Sequence, residues 1–137
     1  MSRSNVEFLR EIYDLYVLDP AKAIDKLIEN MSDKVQWTSV ADETTRGLRF
    51  AKDRSNHEEV RQYFGDVLKE WEPTGLKIFH FTEQDDRVFV SGRGTWKNRQ
   101  TGNEVTTKKI DFFRFERGLI VEFQEFFDTG RVAAAAN

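Results

Sequence analysis

The chain has 137 residues, enough for one domain with a real core and with little room for a second. Hydrophobic residues make up 39% and charged residues 33%, which suits a soluble globular protein and argues against a disordered one. A net charge of −3 gives no electrostatic reason to expect nucleic acid or an anionic membrane as partner, and the absence of cysteine excludes disulfides and thiolate chemistry.

His57 and His80 are the only histidines, too few for a histidine-rich metal centre, so no metal is expected. No apolar run approaches the length of a membrane span, and the first residues enter an amphipathic pattern without a signal-like stretch. The expectation is a cytoplasmic protein. Twelve phenylalanines demand a large apolar sink, because their rings carry no polar handle: a ligand cavity or a subunit interface.

In chain order, Ser4 and Glu7 form a capping box, and Val6, Leu9, Ile12, Tyr13 and Tyr16 recur at helical spacing over residues 5–17. Asp19-Pro20 opens a second helix with a stripe of Ile24, Leu27, Ile28 and Met31. Residues 35–40 read as a strand and residues 41–54 as a long polar loop with the character of a lid. Ser55 to Glu58 reads as a second capping box, opening a third helix that runs to about Trp71 and buries Val60, Phe64 and Val67, with Tyr63 at its flank. His57 falls in its first turn, where a solvated role is expected. Pro73 and Gly75 end the helical part.

Beyond Leu76 the period changes to two. Strands are predicted over 76–82, 87–97, 104–115 and 119–127, with a tight turn at Arg117-Gly118; the alanine-rich tail reads as a frayed helical turn or disorder. Three helices and an antiparallel meander with one early strand make an α+β layout, in which the helices cover one face of a strongly bent sheet.

Asp111 shares a strand face with Phe113 and Phe115. If that face is the core, burial disfavours ionisation, and a neutral carboxylic acid there can donate a hydrogen bond to a substrate oxygen. Glu125 repeats the arrangement beside Phe123 and Phe127, so the two carboxyls become a coupled pair if the hairpin joins their faces. Gly92 and Gly94, on the Val88/Val90 face, make space inside or mark a bulge. His80 is a candidate general base, although parity alone does not say whether its face or that of Phe79 and Phe81 is internal. Lys108-Lys109 and the hairpin from Trp96 to Gly102 read as solvated strand-end features rather than anion sites.

The layout and the segment Ile110-Asp111-Phe112-Phe113-Arg114-Phe115 resemble the nuclear-transport-factor-two-like superfamily, within it the ketosteroid isomerase and SnoaL-like polyketide cyclase families. The ending Glu125-Phe126-Phe127-Asp128-Thr129 looks SnoaL-like. The resemblance implies a single domain over residues 1–137, a cone-shaped, mostly antiparallel sheet wrapped by three N-terminal helices (a cystatin-like α+β barrel), and a homodimer through the outer sheet face. It places Asp111 on the oxyanion-hole aspartic acid and Tyr13 within about one residue of the oxyanion-hole tyrosine, while Trp37 stands where the isomerases carry their base. Proton movement then falls to His80 or Glu125. Tyr16, Trp37, Val90, Trp96, Phe113, Phe123 and Phe127 are expected to line an apolar pocket for a small hydrophobic molecule, with no cofactor.

Three functions follow: an isomerase or cyclase acting on a hydrophobic carbonyl compound, a non-catalytic binding or dimerisation module, and an epoxide-hydrolase-like water activator. The last needs a positive group beside two carboxylates. Only Arg93 and Arg114 are candidates for it, both expected to face outward.

Overall fold

The structure is a computed structural model that describes residues 4–42, 44–45 and 48–137. Three helices come first, α1 (Asn5–Leu18), α2 (Pro20–Glu29) and α3 (His57–Glu70), with strand β1 (Met31–Ser39) between the second and third. The meander follows as β2 (Trp71–Gln84), β3 (Arg87–Asn98), β4 (Glu104–Glu116) and β5 (Leu119–Phe127), and a short helix α4 (Thr129–Ala135) closes the chain. The sheet order is β1-β5-β4-β3-β2, antiparallel except for β1 against β5.

The helix boundaries have local causes. Ser4 accepts from the Glu7 amide, Asp19 from Lys22, and Pro20 stands at the first helical position of α2. In α3 the cap is Asn56 rather than Ser55: its side chain accepts from the Glu59 amide, and the Glu59 carboxylate reaches back to the Ser55 amide. Trp71 is buried, not as the end of α3 but as the first residue of β2. That strand tolerates Pro73 because β2 is an edge, where a missing N–H leaves no ladder bond unmade. At the β4–β5 turn both Arg117 (φ 53°) and Gly118 (φ 80°) are left-handed, as a two-residue turn of type I′ requires.

Inward residues of the sheet pack under α1 at the β4–β5 hairpin end: Val88, Phe115 and Ile120 meet Phe8 and Leu9, with Phe8 edge-on to Phe115. The segment expected to be a lid is instead packed in place. Leu48, Phe50, Ala51 and Arg54 are buried, residues 49–51 form a turn of 3-10 helix, and Arg54 pairs with Trp37 as a short antiparallel bridge along β1. Residues 43, 46 and 47 of that segment lie outside the described residues.

The tail is an ordered helix. Asp128 caps α4, Val132 and Ala135 are buried, and the Ala135 carbonyl accepts from Thr101 and Asn103 of the β3–β4 loop. Among the described residues no helix is long and apolar enough to cross a membrane.

Candidate active site

Between the helices and the wide end of the sheet lies a cavity of about 150 Å³. Its walls are mostly aromatic and aliphatic, and its polar side chains come largely from β4 and β5. Asp111 and Glu125 are direct cross-strand partners, both inward and both buried. Lys109 is two residues before Asp111 on the same face, and its Nζ lies 3.0 Å from Asp111 Oδ2. The hydroxyl of Tyr13, from α1, donates to that same oxygen. The Tyr63 hydroxyl, from α3, donates to Glu125 Oε2 at 2.7 Å.

The electrostatics divide the two carboxyls. Asp111 has an ammonium in contact and accepts two hydrogen bonds on one oxygen. Both contacts fall on Oδ2, which leaves Oδ1 of Asp111 without a partner inside the site. Burial pushes Glu125 up to about 7; the Tyr63 hydrogen bond, the Lys109 charge and the Ser39 hydroxyl pull it down, and the Asp111 charge pushes it up. Burial alone would lower Lys109, but the charges of Asp111 and Glu125 outweigh it and its value is raised. Burial lifts the hydroxyls of Tyr13 and Tyr63 well above the ordinary tyrosine range, and the adjoining carboxyls add to it. Among the described residues three buried polar atoms lack a hydrogen-bond partner: Trp37 Nε1, Asp111 Oδ1 and Glu125 Oε1.

Of the residues expected at the pocket, Tyr13, Tyr16, Trp37, Trp96, Asp111, Phe123, Glu125 and Phe127 all line the cavity. Val90 and Phe113 point inward as expected but are packed in the core rather than in the lining. His80 is displaced altogether. A bulge between Ile78 and His80 shifts the register, so Ile78 pairs with Gly92 while His80 pairs with Ser91, and parity reverses across Phe79. Ile78 and Phe81 thus face inward, whereas His80 is exposed on the outer face and cannot serve the cavity.

The two glycines serve both purposes. Gly92 lies opposite the bulge, where a Cβ would meet the Lys77 carbonyl oxygen at 2.5 Å; a Cβ on Gly94 would overlap the Trp96 indole, 2.1 Å from Cη2. Trp96 thus lies against Gly94, and Lys109 Nζ stands 5.7 Å from its ring.

Sequence reasoning missed three contributors. Lys109 was legible, since it has the same parity as Asp111. Tyr63, at the flank of the α3 stripe, is buried with its hydroxyl on Glu125. Phe50 lines the cavity from the segment read as a polar loop. Arg93 and Arg114 face outward as expected, Arg93 over the Phe79 ring and Arg114 paired with Glu122 and Glu116. The positive group beside the carboxyls is Lys109. Among the described residues no group of three or more histidines and carboxylates stands where it could hold a metal ion.

A cone of α+β topology with an inward, polar-tipped cavity defines the NTF2-like class of fold. The chain belongs to the SnoaL-like domain family, whose model matches residues 9–123. Among curated proteins none matches the chain. It is similar to the solved structure of an NTF2-like protein of unknown function from Burkholderia pseudomallei K96243, with 23% identity, 99% of each chain covered and a TM-score of 0.84. An NTF2-like protein from Burkholderia thailandensis E264 gives 22%, 99% of each chain and 0.83. A structure of TerC co-crystallised with polyporic acid gives 17% identity, 94% of this chain and 97% of that one, and a TM-score of 0.74. At these identities the likeness establishes the fold.

Proposed function

We propose that this protein is a proton-transfer enzyme of the isomerase or cyclase type, acting on a small hydrophobic carbonyl compound, with Glu125 as the group that carries the proton. The observation that supports it most is a buried carboxyl with a value near 7, set in an apolar cavity beside a fixed ammonium. A carboxyl so poised takes up and releases a proton with little driving force lost either way at neutral pH.

In this reading Glu125 removes a proton from the carbon next to the carbonyl. The C–H electron pair moves into a C=C bond, and the carbonyl π pair moves onto oxygen. The Lys109 ammonium and the indole N–H of Trp37 are the donors available to that enolate oxygen. Asp111 and Tyr13 fix Lys109 rather than act on the substrate. Return of the proton from Glu125 to another atom completes the isomerisation. TerC, of the same fold, was co-crystallised with polyporic acid, which supports an organic occupant for this kind of cavity.

The test is exchange of α-hydrogens in D2O, followed by NMR over a series of single-ring ketones. The expected result is exchange by the native protein that falls by about 10²–10⁴-fold in Glu125→Gln. A ketone that binds yet exchanges no faster than in buffer contradicts the proposal and leaves a binding module. The position of Lys109 next to two carboxyls favours a second reading, water activation for epoxide opening; it predicts ¹⁸O from labelled water in a diol product instead of deuterium in a ketone.

The outer sheet face supports a homodimer. Phe79, Phe89, Ile110 and Phe126 are each about 40% exposed there, and such a face is stable when a second copy covers it.

A further inference from the structure

We propose that Arg54 is the positioning residue of the Glu125 carboxyl, acting through Tyr63. The inference rests on Glu125 being the proton-transfer group. Arg54 is not in the cavity lining, yet its side chain is wholly buried. Its Nε donates to the Lys52 carbonyl (3.1 Å), Nη1 to the Glu59 carbonyl (3.3 Å), and Nη2 to the Phe50 carbonyl (3.1 Å) and to Asp66 Oδ2 (2.9 Å). Its own backbone exchanges two hydrogen bonds of 2.9 Å with Trp37.

The placement of these partners on α3 carries the argument. Glu59 is four residues before Tyr63 and Asp66 is three after it, so all three share one helix face. The guanidinium grips that face one turn before and one turn after Tyr63, and its carbon lies 6.0 Å from the Tyr63 ring centroid. Rolling of α3 about its axis would withdraw the Tyr63 hydroxyl from Glu125, and it is opposed on both sides. The bond to the Phe50 carbonyl also sets the Phe50 ring edge-on to Tyr63, with centroids 6.1 Å apart. A buried guanidinium is a costly way merely to fill space, because an apolar side chain of similar volume fills it at no desolvation penalty. What the planar fork adds is a fixed angle between the turn at residues 49–51 and α3.

The consequence is readable at Glu125. The groups that act on it are Tyr63 from α3, Lys109 and Asp111 from β4, Ser39 from β1 and, by charge, Tyr13 from α1. Of these, Tyr63 is the one whose place Arg54 sets. The Tyr63 hydrogen bond lowers Glu125, so its loss raises the titration midpoint.

The experiment follows the Glu125 carboxyl by ¹³C NMR against pH in the native protein, Tyr63→Phe, Arg54→Lys and the double variant. Expected are a rise in Tyr63→Phe, a smaller rise in Arg54→Lys, and no further rise in the double variant. A lower melting temperature in Arg54→Lys with the native midpoint overturns the inference and leaves Arg54 a loop anchor, with the proposed function untouched. An unchanged midpoint in Tyr63→Phe overturns both the inference and the hydrogen bond on which the site reading relies. Asp66→Asn, at a half-exposed position that folding tolerates, loosens the same grip and gives the same readout independently of any Arg54 variant.

Discussion

Lys109 and Asp111 form an ion pair with side chains only 15% and 5% exposed, and pairs of this kind are stable as pairs. Lys109→Met leaves a buried carboxylate without its counter-charge, and the expected cost is about 3–5 kcal/mol in chemical denaturation. Adding Asp111→Asn to that variant should recover part of the loss. Glu125 behaves in the opposite sense. Its folded value of about 7 exceeds the ordinary 4.5, so folding favours the protonated carboxyl. The stability this group contributes is complete below about 4.5 and is lost as pH rises through 7, to an extent of roughly 3 kcal/mol. Glu125→Gln should therefore flatten that part of the stability–pH curve and be more stable than the native chain at pH 8. If the native curve is already flat between pH 5 and 8, the electrostatic account of Glu125 is wrong. Both carboxyls were legible as inward groups from their period-two neighbours, and Lys109 obeys the same parity. What parity does not carry is distance: that Tyr13 reaches Asp111 and Tyr63 reaches Glu125 depends on which side chains α1 and α3 bring across.

At the scale of elements, the strands and helices follow from capping residues and periodicity, and the sequence reading of them agrees with the structure to within a few residues for α1, β3, β4 and β5. It loses parity at β2. The bulge there inserts a residue without any composition signal on β2 itself; the signal is on β3, where Gly92 leaves room for the Lys77 carbonyl. Two substitutions separate the roles of the glycines. Gly92→Ala drives a Cβ against backbone, whereas Gly94→Ala meets the outer edge of a partly exposed indole that can swing. Gly92→Ala is accordingly expected to cost more, about 1–3 kcal/mol in thermal denaturation, and Gly94→Ala to alter tryptophan fluorescence with a smaller loss. The reverse order would mean that Trp96 is wedged rather than resting. The packing of the segment before α3 is illegible for a related reason: Leu48 and Phe50 interrupt its polar run, but they and Arg54 are buried singly, without a period.

For the whole molecule, the sheet has two apolar faces and the helices cover only one. The outer face carries Phe89 against Phe112, with ring centroids 5.0 Å apart, and Ile110 paired with Phe126. Sedimentation should give a species of twice 16.1 kDa at micromolar concentration, and Phe89→Glu should shift it to the monomer. A native chain that sediments as a monomer refutes the dimer proposal without touching the cavity. The family fold explains why such a small chain holds a cavity at all: the cone is solid at the β4–β5 hairpin end, and the helices prop its wide end open.

A proton carrier in this cavity must exchange protons at neutral pH, and Glu125 is the carboxyl placed to do so. A ¹³C NMR titration of the Glu125 side chain tests it most directly. The expected midpoint is about 7; a midpoint at the ordinary carboxylate value removes Glu125 as the proton carrier.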